Sequence, residues 1–383
     1  MDIRFRRAST AVRMTSPERI KPVLQNKGTF IIAEAGVNHN GSLDLARQLV
    51  EAAAAAGADA VKFQTFVARQ VVSNRAPKAR YQQKTTGNST GQLEMLRKLE
   101  LDQAAHLQLV QHCQANRIKF ISTPFDYPSL QLLVNIIGVD LLKISSGEIT
   151  NAPFLLQIAR TQKPVLLSTG MSTLGEIETA LSILAFGYIS SGQKCSPAEW
   201  REAYCSREGR QALQEKVTLL HCTTEYPAPY GEVNLRAMET MRQAFQLPVG
   251  LSDHTAGITV AIAAAAREAC VIEKHFTLDR NLPGPDHKAS LEPSELAQLV
   301  KAVRQVELAL GSPVKAPAPC EMDNLCVVRK SIVAARPIKK GEVFTEENLS
   351  IKRAGGGLPP LMFWGLLGKK ALKDYEADER IIY

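Results

Sequence analysis

Nowhere does the chain carry an apolar run approaching the roughly 20 residues that span a bilayer, so no membrane association is expected and the protein should be soluble. Cysteine is sparse and badly placed for structural work. The seven cysteines, at 113, 195, 205, 222, 270, 320 and 326, are scattered and odd in number, with no CxxC pair to hold zinc or exchange thiols. That favours a reducing, cytoplasmic compartment. Also absent are a basic helix and any basic patch interleaved with aromatics. The formal charge of +8 is dispersed and serves solubility or an anionic small substrate, and nucleic acid is not an expected partner.

What is present is a large apolar fraction, 45% of 383 residues with 22% charged, enough for a substantial core. The length suits a barrel of about 250 residues plus a smaller domain. Residues 1–28 carry five arginines and lack the apolar stretch of a secretory signal; they read as a poorly ordered extension, with a transit peptide as the alternative.

From residue 29 onward, short β-branched apolar runs alternate with helical spacing, the pattern of parallel strands buried on both faces. Eight runs occur: 29–36, 60–66, 119–125, 141–148, 165–171, 217–224, 248–255 and 269–277. The first helix should be capped by Ser42, bury Leu45, Leu49 and Ala53, and close at Gly57; the last should bury Leu296, Leu299, Val300, Val303 and Leu310. Every run begins apolar and ends polar, which predicts a (β/α)8 barrel over 29–312 whose active site lies at the strands' carboxyl ends. A doubly wound open sheet is the structural alternative. Residues 67–96 form a long mouth-side loop suited to substrate binding. The insertion at 187–216 precedes a strand and belongs to the opposite face. Residues 313–326, with three prolines and no periodicity, read as a linker, and 327–383 as a small β-rich domain.

The polar strand ends supply a definite chemistry. His254 and His275 close adjacent strands and form half of an open site for a hard divalent ion, or else serve as acid–base groups. Lys62 and Lys143, with Thr123, Ser146, Ser168 and Ser252, make a cationic cup for phosphate and carboxylate; a Schiff-base lysine is the rival use. Glu34 and Glu148 face the same mouth and can move protons or orient a lysine.

Together the strings IIAEAGVNHNGSLDLA, GADAVKFQTF, KISSGEITN, LLHCTTEYPAPY, VGLSDHT and IEKHFTLDRNLPGPDHKASLEP resemble the sialic acid synthases and the related legionaminic acid synthases, over residues 29–380. The resemblance implies condensation of phosphoenolpyruvate with an open-chain N-acetylated amino sugar, assisted by a divalent metal, usually manganese, with magnesium or cobalt as substitutes. It implies His254 and His275 as metal ligands, and Lys62, Thr123, Lys143, Ser146, Ser168, Thr224 and Ser252 as the phosphoenolpyruvate cradle. Glu34 and Glu148, with the two lysines, would serve catalysis, while Gln64, Asn88, Tyr226 and Asp286 would contact the sugar. The C-terminal segment resembles an antifreeze-like (SAF) domain, whose Arg353 would reach a neighbouring subunit's sugar site in a domain-swapped homodimer. Two departures are Ala354, a proline in many members, and Thr224, an asparagine in some. N-acetylmannosamine would give N-acetylneuraminate; a 2,4-diacetamido-2,4,6-trideoxy sugar would give the legionaminic acid, toward which SGEITN leans. A Schiff-base aldolase and a non-catalytic carbohydrate-binding protein are the competing readings.

Overall fold

The computed structural model describes residues 28–79, 82–83, 91–190, 192 and 196–383. The calls on residues 1–27 and on Asn88 lie outside the described residues. The chain divides into two compact units, Met1–Gly311 and Ser312–Tyr383.

In the first unit eight parallel strands close a barrel in chain order: β1 (Phe30–Gly36), β2 (Ala60–Thr65), β3 (Lys119–Pro124), β4 (Leu142–Ile144), β5 (Val165–Ser168), β6 (Val217–Cys222), β7 (Val249–Asp253) and β8 (Val271–His275). All eight expected runs are strands, and closure replaces the open sheet. β4 is shorter than its apolar run, because the chain turns into a 3-10 helix at Ser146–Glu148.

Alternation along the strands separates two layers of apolar contact. Phe30, Ile32, Ala60, Ile121, Leu141, Leu166, Leu220 and Val271 fill the barrel's interior. Their neighbours, such as Ile31, Ala33, Val61 and Phe63, pack outward against the helices. Because side chains repeat every second residue, the next inward position after each interior plug is Glu34, Lys62, Thr123, Lys143, Ser168, Cys222 or Glu273. The floor of the mouth is therefore apolar and the layer above it polar.

The first helix, Leu43–Ala55, is capped by Ser42, whose hydroxyl accepts the Leu45 N–H, and Gly57 takes the left-handed φ of +81° that closes it. It buries Ala46, Leu49, Val50 and Ala53, while Leu45 is only half-buried. The last barrel helix, Pro293–Leu310, buries Leu296, Leu299, Val300 and Val303 as expected, but Leu310 is exposed in its final turn, beyond the reach of the strands. The 187–216 insertion folds into two helices, Pro197–Cys205 and Arg207–Lys216, packed on Leu174–Ile189. No helix among the described residues is long and apolar enough to cross a membrane.

In the second unit, β9 (Lys330–Ala334) pairs antiparallel with β10 (Leu349–Arg353) over a core of Ile332, Ile338, Phe344, Tyr375 and Ile381. The expected linker is partly helical instead: Pro319–Glu321 is a 3-10 turn and Met322–Val328 an α-helix. Pro319 at the start pre-sets the φ of a first helical turn rather than breaking one.

Candidate active site

At the carboxyl end of the barrel a cavity of about 260 Å³ is lined by Glu34, Lys62, Gln64, Thr123, Lys143, Ser146, Ser168, Thr224, Tyr226, Ser252, His254, Glu273, His275 and Asp286. The mouth-side loop adds Val71, Val72, Gln82, Gln92 and Met95 to its wall.

Directly above the apolar plugs the cavity holds a buried cage of four charges. Lys62 Nζ lies 2.7 Å from Glu34 Oε2 and 3.7 Å from Glu273 Oε2, and donates to Thr123 Oγ1 at 3.1 Å. Lys143 Nζ donates to Ser168 Oγ at 2.6 Å and lies 3.9 Å from Glu273 Oε1, which accepts from Ser252 Oγ at 2.7 Å. Glu34 Oε2 and Glu273 Oε2 have a lysine beside them but no donor aligned on them. A charge taken out of water survives only with such partners.

The electrostatics separate the two carboxylates. Burial pushes Glu34 up to about 7, with Lys62 opposing the shift and the Glu273 charge adding to it. Burial also works against ionised Glu273, yet Lys143, Lys62 and the Ser252 hydroxyl together hold it well below the ordinary range. Lys62 stays protonated despite its burial, because Glu273 and Glu34 raise it; burial lowers Lys143. The cage thus has one permanent carboxylate, one group able to exchange a proton near neutrality, and two ammonium groups aimed at the cavity. Such a set of charges is suited to a multiply charged anion.

On the adjoining wall the ring centroids of His254 and His275 are 5.5 Å apart, with Tyr226 at 4.2 Å from the first and 5.5 Å from the second. The His254 Nδ1–H donates to the Thr223 carbonyl at 2.7 Å, which leaves Nε2 with its lone pair. His275 Nδ1 is buried without a partner. Burial holds both rings neutral, His254 down to about 4 and His275 well below its usual value, with His254 and Lys62 adding to the latter shift. Neutral imidazoles with available lone pairs are the ligand form. Among the described residues no group of three His, Cys, Asp or Glu converges on one point, so a hard ion held here would complete its shell with water and substrate oxygens. The donors fit the divalent ion that the resemblance implies.

Asp286 stands at the rim, pushed up to about 6 by burial alone. Gln64 donates to Glu34 Oε1 at 3.4 Å. One expected residue is not brought in. Glu148 does not line the cavity: the short β4 places it in the 3-10 turn, where its carboxylate accepts from Asn151 Nδ2 at 2.7 Å. Arg353 is exposed on β10 of the second unit. Conversely, Glu273 enters the cage although no role is expected for it from the sequence. Its parity marks it: it stands two residues before His275 and two after the interior Val271, so all three point inward. Lys274, between them, points outward and pairs with Asp253 at 2.8 Å.

The comparisons with known proteins agree with this geometry. Residues 49–315 match the NeuB family and residues 329–381 a SAF domain. The chain is 51% identical to an N,N'-diacetyllegionaminic acid synthase of Campylobacter jejuni, covering 93% of this chain and 99% of that one. It is 43% identical to a protein of the same description from Legionella pneumophila, over 95% and 96%. A crystal structure of N-acetylneuraminic acid synthetase from Leptospira borgpetersenii, 33% identical, covers 78% of this chain and 90% of its own, with a TM-score of 0.62. A closed barrel with a buried two-lysine, two-glutamate cage, followed by a SAF domain, places this chain in the NeuB family as a synthase of the sialic-acid type.

Proposed function

We propose that the chain condenses phosphoenolpyruvate with the open-chain aldehyde of a 2,4-diacetamido-2,4,6-trideoxy sugar, releasing phosphate and a legionaminic-type acid. The cage around Glu273 carries the phosphoenolpyruvate half of this reading. Its two ammonium groups, with Thr123, Ser146, Ser168, Thr224 and Ser252, match an anion bearing both carboxylate and phosphate. The acceptor half rests on the 51% and 43% identity to the two relatives of that description.

In the reaction the methylene carbon of phosphoenolpyruvate bonds to the aldehyde carbon, and the aldehyde oxygen takes a proton. Glu34, poised near neutrality, supplies that proton and recovers one from the water that adds to the electron-poor second carbon. The carbon–oxygen bond to phosphate then breaks, and the new hydroxyl's proton leaves with the phosphate as the ketone forms. Lys62 and Lys143 hold the anion throughout, while the apolar plugs beneath exclude water from below. His254 and His275 would hold a divalent ion, which we take as manganese, and it would supply Lewis acidity for the aldehyde oxygen. Gln64, Tyr226 and Asp286, which line the cavity, contact the sugar. Lys62, kept protonated by its two carboxylates, is a poor Schiff-base nucleophile, which leaves Lys143, lowered by burial, as the lysine an aldolase reading would use. We take the location as cytoplasmic, a reading supported by the free state of the six described cysteines.

The likeness to an N-acetylneuraminic acid synthetase favours N-acetylmannosamine as the second reading. Phosphate release should require both metal and acceptor, with the larger kcat/KM for the diacetamido sugar. A larger value for N-acetylmannosamine would reverse the acceptor assignment, and release with neither sugar from folded, manganese-loaded protein would sink both.

A further inference from the structure

Beside the cage, three strand ends meet at one glycine. A Cβ added at Gly170 would fall 2.3 Å from Thr224 Oγ1 and 2.9 Å from both Cys222 Sγ and Ser146 Oγ, so these three side chains share one small space that only glycine leaves open. Ser146 Oγ accepts the Gly170 N–H at 3.0 Å and lies 3.0 Å from Cys222 Sγ. Cys222 is buried and inward on β6 and does not line the cavity, whereas Ser146, in contact with it, does.

A serine hydroxyl has two lone pairs and one proton. With one lone pair given to Gly170, the direction of the second contact decides what remains for a ligand. We propose that Cys222 is a positioning residue for phosphoenolpyruvate: its thiol donates to the second lone pair of Ser146, so the serine's proton is left to the anion. The thiol is a weak donor, but it polarises the serine in the one sense an anion rewards. Were the serine to donate to sulfur instead, its oxygen would face the ligand's negative charge. Thr224 Oγ1, buried without a partner against the same glycine, completes the pair of hydroxyls available there. The inference rests on Ser146 belonging to the phosphoenolpyruvate cradle.

The test is a double-mutant cycle in the full-length, manganese-saturated enzyme, reading KM for phosphoenolpyruvate, KM for the sugar and kcat. Ser146→Ala should raise KM for phosphoenolpyruvate about tenfold, and Cys222→Ala about three- to tenfold, with kcat and the sugar KM within about twofold. Cys222→Ser, which keeps a donor, should stay within about twofold of the parent. The double variant should be no worse than Ser146→Ala alone. Should Cys222→Ala fail to fold by circular dichroism, Cys222→Val fills the space without a donor and takes its place. Additive effects, an unchanged KM in the alanine or valine variant, or a serine variant as impaired as the alanine would each overturn the proposal. If Ser146→Ala itself leaves KM unchanged, the cradle reading of Ser146 fails first and the role of Cys222 falls with it.

Discussion

Glu34 and Glu273 sit in one cage, yet their surroundings drive them to opposite states. Glu273 has two lysines and a serine hydroxyl; Glu34 has one lysine and a like charge beside it. Glu34→Gln should therefore cost kcat roughly 10²- to 10⁴-fold while phosphoenolpyruvate still binds. Single-turnover kinetics would separate the two, and a loss below about tenfold would remove Glu34 from the proton transfers. Asp286 offers a cleaner test of burial. Its folded pKa of about 6 exceeds the ordinary 3.8, so the folded state holds the proton more tightly than the unfolded one. Its contribution to stability is therefore full below about pH 3.8 and lost as pH rises through 6. Asp286→Asn should unfold a few degrees above the parent at pH 8 and level with it near pH 4, as calorimetry of the ligand-free protein would show. The same substitution should raise the sugar KM if the ionised carboxylate accepts from the sugar, and an unchanged KM would remove Asp286 from the sugar site.

At the scale of elements, the alternation of each strand does two jobs with one register. Ile32, Leu166 and Leu220 plug the barrel, and the residues two further on carry the chemistry. A strand shifted by one residue would turn both sets outward, so interior packing and active-site geometry stand or fall together. Gly250 shows how tight that interior is: a Cβ there would lie 2.4 Å from the Val271 carbonyl and 2.9 Å from a Leu220 methyl. Gly250→Ala should cost roughly 2 kcal/mol or more through overpacking and lower the melting temperature by several degrees. A change under about 1 °C would mean that β7 and β8 move apart freely. The eight strands were legible because runs buried on both faces are nearly all apolar and end in polar residues. Leu310 was misplaced because helical periodicity continues past the last strand it could cover. Glu148 was misplaced because a tight 3-10 turn after Ile144 carries no apolar signature to mark where β4 stops.

For the whole molecule, the second unit leaves Leu361 and Trp364 86% and 74% exposed, and it carries Arg353 on β10. Large exposed apolar side chains of this kind mark an association surface. We propose as the functional form the domain-swapped homodimer that the resemblance implies, in which Arg353 would serve the partner's sugar site. Sedimentation should give a dimer. Glu34→Gln and Arg353→Ala, each nearly inactive alone, should regain activity when unfolded and refolded together, since mixed dimers then hold one intact site. No recovery, with mixed dimers demonstrated, would place Arg353 in its own subunit's site or outside catalysis.

The sequence alone determined the barrel, the small domain after it and the chemical inventory of the mouth, because burial on both faces and the polarity of strand ends are one-dimensional signals. Only the tertiary structure decided which of those polar groups meet. Glu273 enters the cage and Lys274 leaves it on the strength of the pleat; Glu148 is lost to a turn; and Cys222 comes to lie against Ser146, 76 positions away in the chain. Such meetings depend on strand register and on how far each strand runs, quantities that barrel closure sets and no local stretch of sequence encodes.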